Sequence, residues 1–155
     1  MKQPRLEAQK SSPAAYSALL ALEAFVRRAW KLETSLMELV RMRASQINGC
    51  AYCLDMHSKD ARAEGETEQR LYTLSAWRET PFFTDRERAA LDWTEALTLI
   101  TEGHASDEVY ETVKQQFSDE ELVNLTVAII AINGWNRLAI GFRNVPGEYQ
   151  PKAPK

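Results

Sequence analysis

Apolar residues recur every three to four positions along most of the chain, which is the spacing of an amphipathic helix. The clearest run extends from Tyr16 to Trp30, and Ser12 and Pro13 stand before it as a helix cap and a first helical residue. No run alternates apolar and polar residues as a half-buried strand would. The pattern therefore predicts an all-α fold of about six to eight helices.

Short polar signals mark where several of these helices begin and end. Three Ser/Thr–Glu pairs have the spacing of a capping box: Ser35 with Glu38, Thr84 with Glu87, and Ser118 with Glu121. Asn48 and Gly49 predict the end of the helix that contains Glu38, because both tolerate the left-handed conformation. The last helix, residues 122–142, is apolar nearly all round between Val127 and Ile132, so we expect it to be the central, most buried element.

The length and composition are those of one globular domain. The chain has 155 residues, of which 45% are hydrophobic and 26% charged, and a chain of this size buries about two thirds of its unfolded surface. We assign the domain to residues 13–145, between a polar arm of residues 1–12 and a proline-containing tail of residues 146–155. The arm is expected to extend along a neighbour or stay loose. The tail is expected to wrap a partner subunit or be disordered.

The charge and the apolar runs bear on possible partners and on location. A net charge of -3 does not suggest the basic face that nucleic acid requires. The longest apolar run, Val127 to Ile132, is far shorter than the roughly 20 residues that span a bilayer. Residues 1–10 are polar and have no signal-peptide core. We therefore expect a cytoplasmic protein without nucleic-acid or membrane partners, where a lone cysteine pair is more often catalytic than structural.

Candidate chemistry is concentrated between Glu38 and His57. This stretch holds the two cysteines, Cys50 and Cys53, and one of the two histidines. Cys53 and His57 are four residues apart on a predicted helix, so the imidazole can take the Cys53 proton directly or through one water. A helix N-terminus, a neighbouring histidine and a Cys-X-X-Cys setting each favour the thiolate. Proximity to His57 favours Cys53 as the attacking thiol, whereas position at the helix terminus favours Cys50.

Each of these residues also has a plainer interpretation. By spacing alone, Glu38 is more simply the capping partner of Ser35 than a catalyst. The two cysteines could be small buried side chains. Together with His57 and Glu38 they could also form a four-ligand zinc set, although structural zinc sites usually take ligands from a second knuckle and the sequence has none.

The motif itself resembles that of a known family. The pattern Glu-(x)11-Cys-x-x-Cys-x-x-x-His, with the string from Gln46 to Cys50, is similar to the core motif of the AhpD-like branch of the carboxymuconolactone decarboxylase superfamily. The similarity extends over residues 76–78, 84–99 and 132–137. The resemblance implies an AhpD-like helical bundle, assembly into homotrimers or homohexamers, and thiol-dependent reduction of hydrogen peroxide or organic peroxides.

The resemblance also implies roles for individual residues. Cys53 would attack the peroxide and Cys50 would resolve the oxidised thiol. His57 would accept the proton and Glu38 would be the outer member of the relay. Tyr52 is a departure, because the best-studied members carry a histidine between the cysteines. No cofactor or metal is implied, and an external dithiol, either a small redox protein or a lipoyl group, would return the pair to its reduced form.

Three other functions remain open from the sequence. A dithiol–disulfide reductase or a redox sensor would use the same cysteine pair without rapid peroxide turnover. A zinc-binding structural module would hold metal stoichiometrically. A lactone-acting decarboxylase would not need the cysteines, and the decarboxylase branch of the superfamily lacks this pair.

Overall fold

The structure is a computed structural model that describes residues 3–28 and 32–151, and these ranges contain helices and no β-strand. In chain order the elements are α1 Ala8–Ser11, α2 Pro13–Arg28, α3 Thr34–Asn48, α4 Ala51–Ala63, α5 Glu68–Thr73, a 3-10 helix Leu74–Glu79, α6 Asp85–Thr98, α7 Ile100–Gly103, α8 Asp107–Lys114 and α9 Asp119–Phe142. The all-α prediction is confirmed. The four-residue helices α1 and α7 raise the number of α-helices in the described part to nine. Trp30 lies outside the described residues.

The capping boxes differ in outcome. Those that begin at Thr84 and Ser118 form with both reciprocal hydrogen bonds, as predicted. The box predicted for Ser35 and Glu38 is wrong, because α3 already begins at Thr34 and has no side-chain cap. Ser35 therefore lies inside the first turn, and the Glu38 side chain is buried among α3 and α4 instead of reaching back to the helix terminus.

A tight corner joins α3 to α4. Asn48 ends α3, and Gly49 adopts the left-handed conformation with φ 70° and ψ 32°. The backbone amide of Cys50 donates to the carbonyl of Ser45 at 3.0 Å, which closes the end of α3. Cys50 is then the N-cap of α4, where its sulfur accepts from the backbone amide of Cys53 at 3.4 Å. The predicted helix stop is confirmed, and it delivers both cysteines to the positive end of α4.

The centre of the fold is α3 rather than α9. Nine of the 15 residues of α3 are buried, and this helix packs against α4, α6 and α9. Only eight of the 24 residues of α9 are buried, while Val123, Ile130 and Ile140 are exposed. The prediction that the last helix is the most buried element is therefore wrong. Apolar residues all round a helix show that several faces avoid water, but they do not show which neighbours of the same chain cover them.

Within the described residues, α9 is also the one helix long and apolar enough to cross a membrane by length and composition, with a mean hydropathy of 1.3. The central helix of a helical bundle meets the same criterion. In this structure α9 packs against α2, α3 and α6, which accounts for the apolar residues on those faces.

The described parts of both termini contact their own chain, and the expected contact of the arm or tail with a neighbouring subunit stays a prediction. The backbone amide of Arg5 donates to the carbonyl of Phe142 at 2.9 Å, so the arm lies against the end of α9. The Lys59 ammonium donates to the carbonyl of Tyr149 at 3.0 Å, so the tail up to residue 151 lies along α4. These are polar contacts, and the apolar periodicity of a sequence does not reveal such contacts.

Candidate active site

The two cysteines form a disulfide at the N-terminus of α4. Their Cα atoms are 5.4 Å apart. Cys50 is 1% exposed and Cys53 is 2% exposed. Ala139 of α9 and Tyr52 pack against them. The pair is therefore a redox-capable unit that is shielded from solvent in its oxidised form.

Glu38 and His57 form a buried pair between α3 and α4. The Nδ1 atom of His57 lies 2.9 Å from Oε2 of Glu38. Burial opposes ionisation of Glu38, but the hydrogen bond and charge of His57 and the adjacent Arg41 outweigh it and hold the pKa of Glu38 below its ordinary value. An ionised carboxylate only accepts hydrogen bonds, so Nδ1 is the donor. In the neutral imidazole, Nε2 is then left as the atom that can accept a proton.

Arg41 extends this pair to α2. Its Nη1 atom donates to Oε1 of Glu38 at 2.5 Å, and its Nη2 atom donates to Oε1 of Glu23 at 3.0 Å. The same Glu23 oxygen accepts from Nε of Arg27 at 3.0 Å. The side chains of two arginines and two glutamates thus form a row of alternating charges that ends at His57. Each buried charge in this row has a partner of opposite sign. The spacing within α3 identifies Arg41 as a partner of Glu38, but no sequence signal connects Glu23 to this site.

Asp60 and Tyr149 also belong to this region, and sequence reasoning missed both. A carboxylate oxygen of Asp60, a carboxylate oxygen of Glu38 and a ring nitrogen of His57 all lie within 4.8 Å of one another. The phenol of Tyr149 donates to Oδ1 of Asp60 at 2.7 Å. Asp60 could have been found, because it follows His57 by three residues and so shares its helical face. Tyr149 carries no such signal, because it lies in an irregular tail.

These side chains could also be considered as metal ligands. Glu38, His57 and Asp60 are of suitable type and lie close together. A divalent ion bound there would have to displace the hydrogen bond between Glu38 and His57 and would face the positive charge of Arg41. The zinc set considered from the sequence fits less well still, because the two sulfurs are bonded to each other. The donor set therefore suits proton transfer better than cation binding.

A cavity of about 390 Å³ adjoins Glu38, and its wall includes residues of α2, α3, α4, α9 and the tail. Polar residues on its wall include Glu38, Arg41, Asp60 and Tyr149. Of the described residues, neither the two cysteines nor His57 contribute to this wall. Glu38 thus contacts both His57 and a space that can hold water.

A network of amides fixes the corner before Cys50. Asn48 donates to Oδ1 of Asn136 at 2.8 Å and to Oδ1 of Asn133 at 2.9 Å. Asn136 is fully buried, and its amide donates to the hydroxyl of Ser45 at 3.0 Å. These contacts tie the end of α3 to α9. They show what Asn48, Asn133 and Asn136 do, which the sequence alone did not assign.

The helical fold and the Cys-X-X-Cys pair next to a Glu–His pair define an AhpD-like protein. The model of the carboxymuconolactone decarboxylase family matches residues 13–96. The chain therefore belongs to this family, and the resemblance inferred from the motif is confirmed.

Similar proteins support the same assignment. YdfG of Bacillus subtilis, an uncharacterized protein, is 39% identical over 140 residues, which are 90% of this chain and 95% of YdfG. ATU0492 of Agrobacterium tumefaciens, provisionally named an AhpD antioxidant defence protein, has 47% sequence identity and a TM-score of 0.91 over 95% of this chain and 100% of its own. The debrominase Bmp8 has a TM-score of 0.81 at 19% identity, over 90% of this chain and 75% of its own, and shares the fold alone.

Proposed function

We propose that this protein is a thiol-dependent peroxidase that reduces hydrogen peroxide or organic peroxides through a dithiol–disulfide cycle of Cys50 and Cys53. The observation that carries the proposal is the position of this pair. The cysteines lie at the N-terminus of α4, Cys53 is one turn before His57, and Nδ1 of His57 is bound to an ionised Glu38. A helix terminus and a held imidazole are the two features that generate a reactive thiolate.

The first step is oxidation of Cys53. His57 accepts the Cys53 proton at Nε2, and the Glu38 carboxylate stabilises the resulting imidazolium. The thiolate attacks one oxygen of the peroxide, so that an S–O bond forms and the O–O bond breaks. The leaving alkoxide takes the proton from His57 and departs as an alcohol. Cys53 is then a sulfenic acid.

The second step closes the disulfide. The Cys50 sulfur attacks the Cys53 sulfur, the S–S bond forms, and the hydroxyl leaves as water with the Cys50 proton. The two thiols have thereby supplied both electrons that the peroxide consumes, so the cycle needs no cofactor. The Cys50–Cys53 disulfide in the structure is the product that this step would form.

An external dithiol then reduces the pair. A small redox protein or a lipoyl group would supply the two electrons, in a homotrimer or homohexamer located in the cytoplasm. Because Tyr52 and Ala139 pack against the disulfide, these contacts must loosen before a reductant thiol can approach in line with the S–S bond. A lipoyl group on a flexible arm fits such narrow access better than a flat protein surface does.

The position of the cysteine pair also bears on the other functions. A dithiol–disulfide reductase or a redox sensor would use the same pair, but near-complete burial of both sulfurs fits a small oxidant better than a protein disulfide. A lactone-acting decarboxylase would leave the disulfide without a purpose. The shared fold of a debrominase shows that this architecture accommodates other chemistry, so the peroxide must be tested directly.

The test is stopped-flow oxidation of the reduced protein by an alkyl hydroperoxide, with thiol loss and disulfide formation followed by mass. We expect rapid loss of two thiols, loss of the reaction in Cys53→Ser, and a rate about 100-fold lower in His57→Ala. Cys50→Ser should accumulate a sulfenic acid on Cys53. The matched control is His104→Ala, which removes the other histidine, exposed at the end of α7.

Three results would argue against the proposal. Oxidation no faster than that of a free thiol would leave the reductase or sensor as the better assignment. A sulfenic acid trapped only on Cys50 would exchange the roles of the two cysteines. Activity on a lactone that survives replacement of both cysteines by serine would favour the decarboxylase.

A further inference from the structure

A second carboxylate stands beside the Glu38–His57 pair and has no role in the cycle described above. Asp60 lies within 4.8 Å of both partners, measured between a carboxylate oxygen and the nearest Glu38 oxygen and His57 nitrogen. Both Glu38 oxygens are engaged, one by His57 and one by Arg41. Asp60 accepts one hydrogen bond from Tyr149, and a carboxylate has about four acceptor positions. Asp60 therefore keeps capacity to bind water.

Asp60 also separates the buried imidazole from the cavity. Asp60 and Tyr149 line this space, whereas His57 is 3% exposed and does not contribute to the described wall. A volume of about 390 Å³ holds several waters at roughly 30 Å³ each. A proton that moves between His57 and this water passes Asp60 or Glu38. Glu38 is the poorer carrier, because Arg41 and His57 hold its pKa low.

The tail fixes the position of the Asp60 carboxylate. Lys59 donates to the carbonyl of Tyr149 at 3.0 Å, and the amide of Gly147 donates to Oδ2 of Asp55 at 2.9 Å. These contacts anchor the tail on α4 at Gly147 and at the backbone of Tyr149. Burial and the nearby Asp60 raise the pKa of Tyr149 to about 12, so the phenol remains a donor at neutral pH.

We propose that Asp60, held by Tyr149, is a positioning residue that transfers protons between His57 and the water of the cavity. The step moves one proton and no electrons. During oxidation the proton taken from Cys53 leaves with the alcohol, so exchange with solvent is not required. During reduction the external thiolate has left its own proton in solution, and the thiolates released at Cys50 and Cys53 need protons that come from solvent.

The charged groups around Asp60 must be considered in any pH profile. They come from α2, α3, α4 and the tail, and they are Arg27, Glu38, Arg41, His57, Glu64 and Tyr149. Glu38 and Arg41 are paired with each other, and Tyr149 stays protonated below pH of about 12.

The experiment measures reduction of the disulfide in the oxidised, full-length protein by dithiothreitol, in water and in deuterium oxide. We expect Asp60→Ala to slow reduction about tenfold and to increase the solvent isotope effect. This loss is below the 10²- to 10⁴-fold of a direct proton donor, because Asp60 acts through His57. Added formate should restore the rate by occupying the vacated space. Tyr149→Phe should slow reduction by a smaller factor.

Two further variants test whether the effect is specific to a carboxylate at position 60. Asp107→Ala removes an exposed carboxylate at the start of α8 that does not line this cavity, so it should reduce at the wild-type rate without a response to formate. Asp60→Asn can still accept the Tyr149 hydrogen bond and should be as slow as Asp60→Ala, because an amide cannot carry the proton.

Three results would contradict the proposed role of Asp60. A wild-type rate in Asp60→Asn, a loss without formate rescue in Asp60→Ala, or an equal loss in Asp107→Ala would overturn the inference. The inference rests on the proposed function only in that His57 serves the cysteine pair. Because the assay contains no peroxide, slow peroxide oxidation with an Asp60-dependent reduction would refute the peroxidase and leave the inference intact.

Discussion

Glu38 is the residue on which the electrostatics of the site depend. Its carboxylate is buried between the imidazole of His57 and the guanidinium of Arg41, and it bonds to both. Burial alone would favour the neutral acid, but the hydrogen bonds from His57 and Arg41 favour the anion. The anion in turn fixes the ring orientation and the tautomer of His57. Under the proposed function, one side chain would serve both the stability of the fold and the reactivity of the thiol.

Glu38→Gln tests this dual role. At neutral pH we expect it to lower the free energy of unfolding by about 3 kcal/mol, because it leaves a buried charge with fewer partners. The folded-state pKa of Glu38 is below its ordinary value of 4.5, so its stabilising contribution is present above that pH and is lost as the pH falls. The difference between wild type and variant should therefore shrink in acid. Urea unfolding at a series of pH values measures it.

Glu79→Gln is the control for this series. Glu79 is exposed at the end of the 3-10 helix, and its replacement should change the unfolding free energy by less than about 0.5 kcal/mol at every pH. A difference for Glu38→Gln that stays constant from neutral to acidic pH would contradict the assignment of an ionised, paired Glu38.

The α3–α4 corner is the element that places the cysteines. Gly49 turns the chain in the left-handed region, and the following residue caps α4 with its sulfur. The amides of Asn48 and Asn136 hold the same corner against α9. The corner directs the N-terminal amides of α4 towards the thiols, where they favour the thiolate.

Gly49→Ala should destabilise the protein by about 1 kcal/mol, because the left-handed conformation is strained for an L-residue. A Cβ atom at this position meets nothing within 4 Å, so the cost is conformational and not steric. Gly49→Asn should cost less, since asparagine tolerates this conformation. Chemical unfolding measures these differences.

Gly141→Ala is the matched control, because this glycine lies in α9 with helical backbone and equally open space. It should gain up to about 1 kcal/mol from helix propensity. A loss of several kcal/mol in Gly49→Ala would mean that the corner cannot adjust to a side chain, and the conformational explanation would be wrong.

At the scale of the whole molecule, one surface of α9 is left exposed by residues 3–28 and 32–151. Val123 is 61% exposed and Ile130 is 58% exposed, and two turns of helix place them on the same face. The family resemblance predicts homotrimers or homohexamers. We expect this face to be buried against a second copy of the chain, since apolar patches of this kind mark interaction sites.

Ile130→Lys should dissociate the oligomer, because it places an unpaired charge in an apolar interface. Light scattering coupled to size-exclusion chromatography measures the mass of wild type and variant. Tyr72→Lys is the control, since Tyr72 is an exposed aromatic residue on α5, away from α9. A monomeric wild type, or an unchanged mass in Ile130→Lys, would contradict the predicted interface.

Local sequence signals predicted local structure well. The helix starts at Thr84 and Ser118 and the stop at Gly49 were found, because caps depend on residues a few positions apart. The candidate site was predicted in part. The structure brings Glu38 and His57 together as the family resemblance implied, while their catalytic roles stay predictions.

Contacts between distant segments were not predicted. Glu23 and Tyr149 join the site from α2 and the tail, and nothing in their neighbouring residues marks them. The expected Glu38 cap failed for the same reason. His57 and Arg41 both donate to that carboxylate in the packed fold, and a spacing rule considers only the helix itself.

By itself, the sequence determined the helical class, the corner at Gly49 and the cysteine pair on one turn of α4. These features depend on backbone conformation and on residues that lie within about two helical turns of one another in the sequence. Only the tertiary structure decided that α3 is the central helix, that Glu38 is held between His57 and Arg41, and that Asp60 faces a cavity closed by the tail. Burial and charge pairing arise when distant segments pack, and both are properties of the assembled fold.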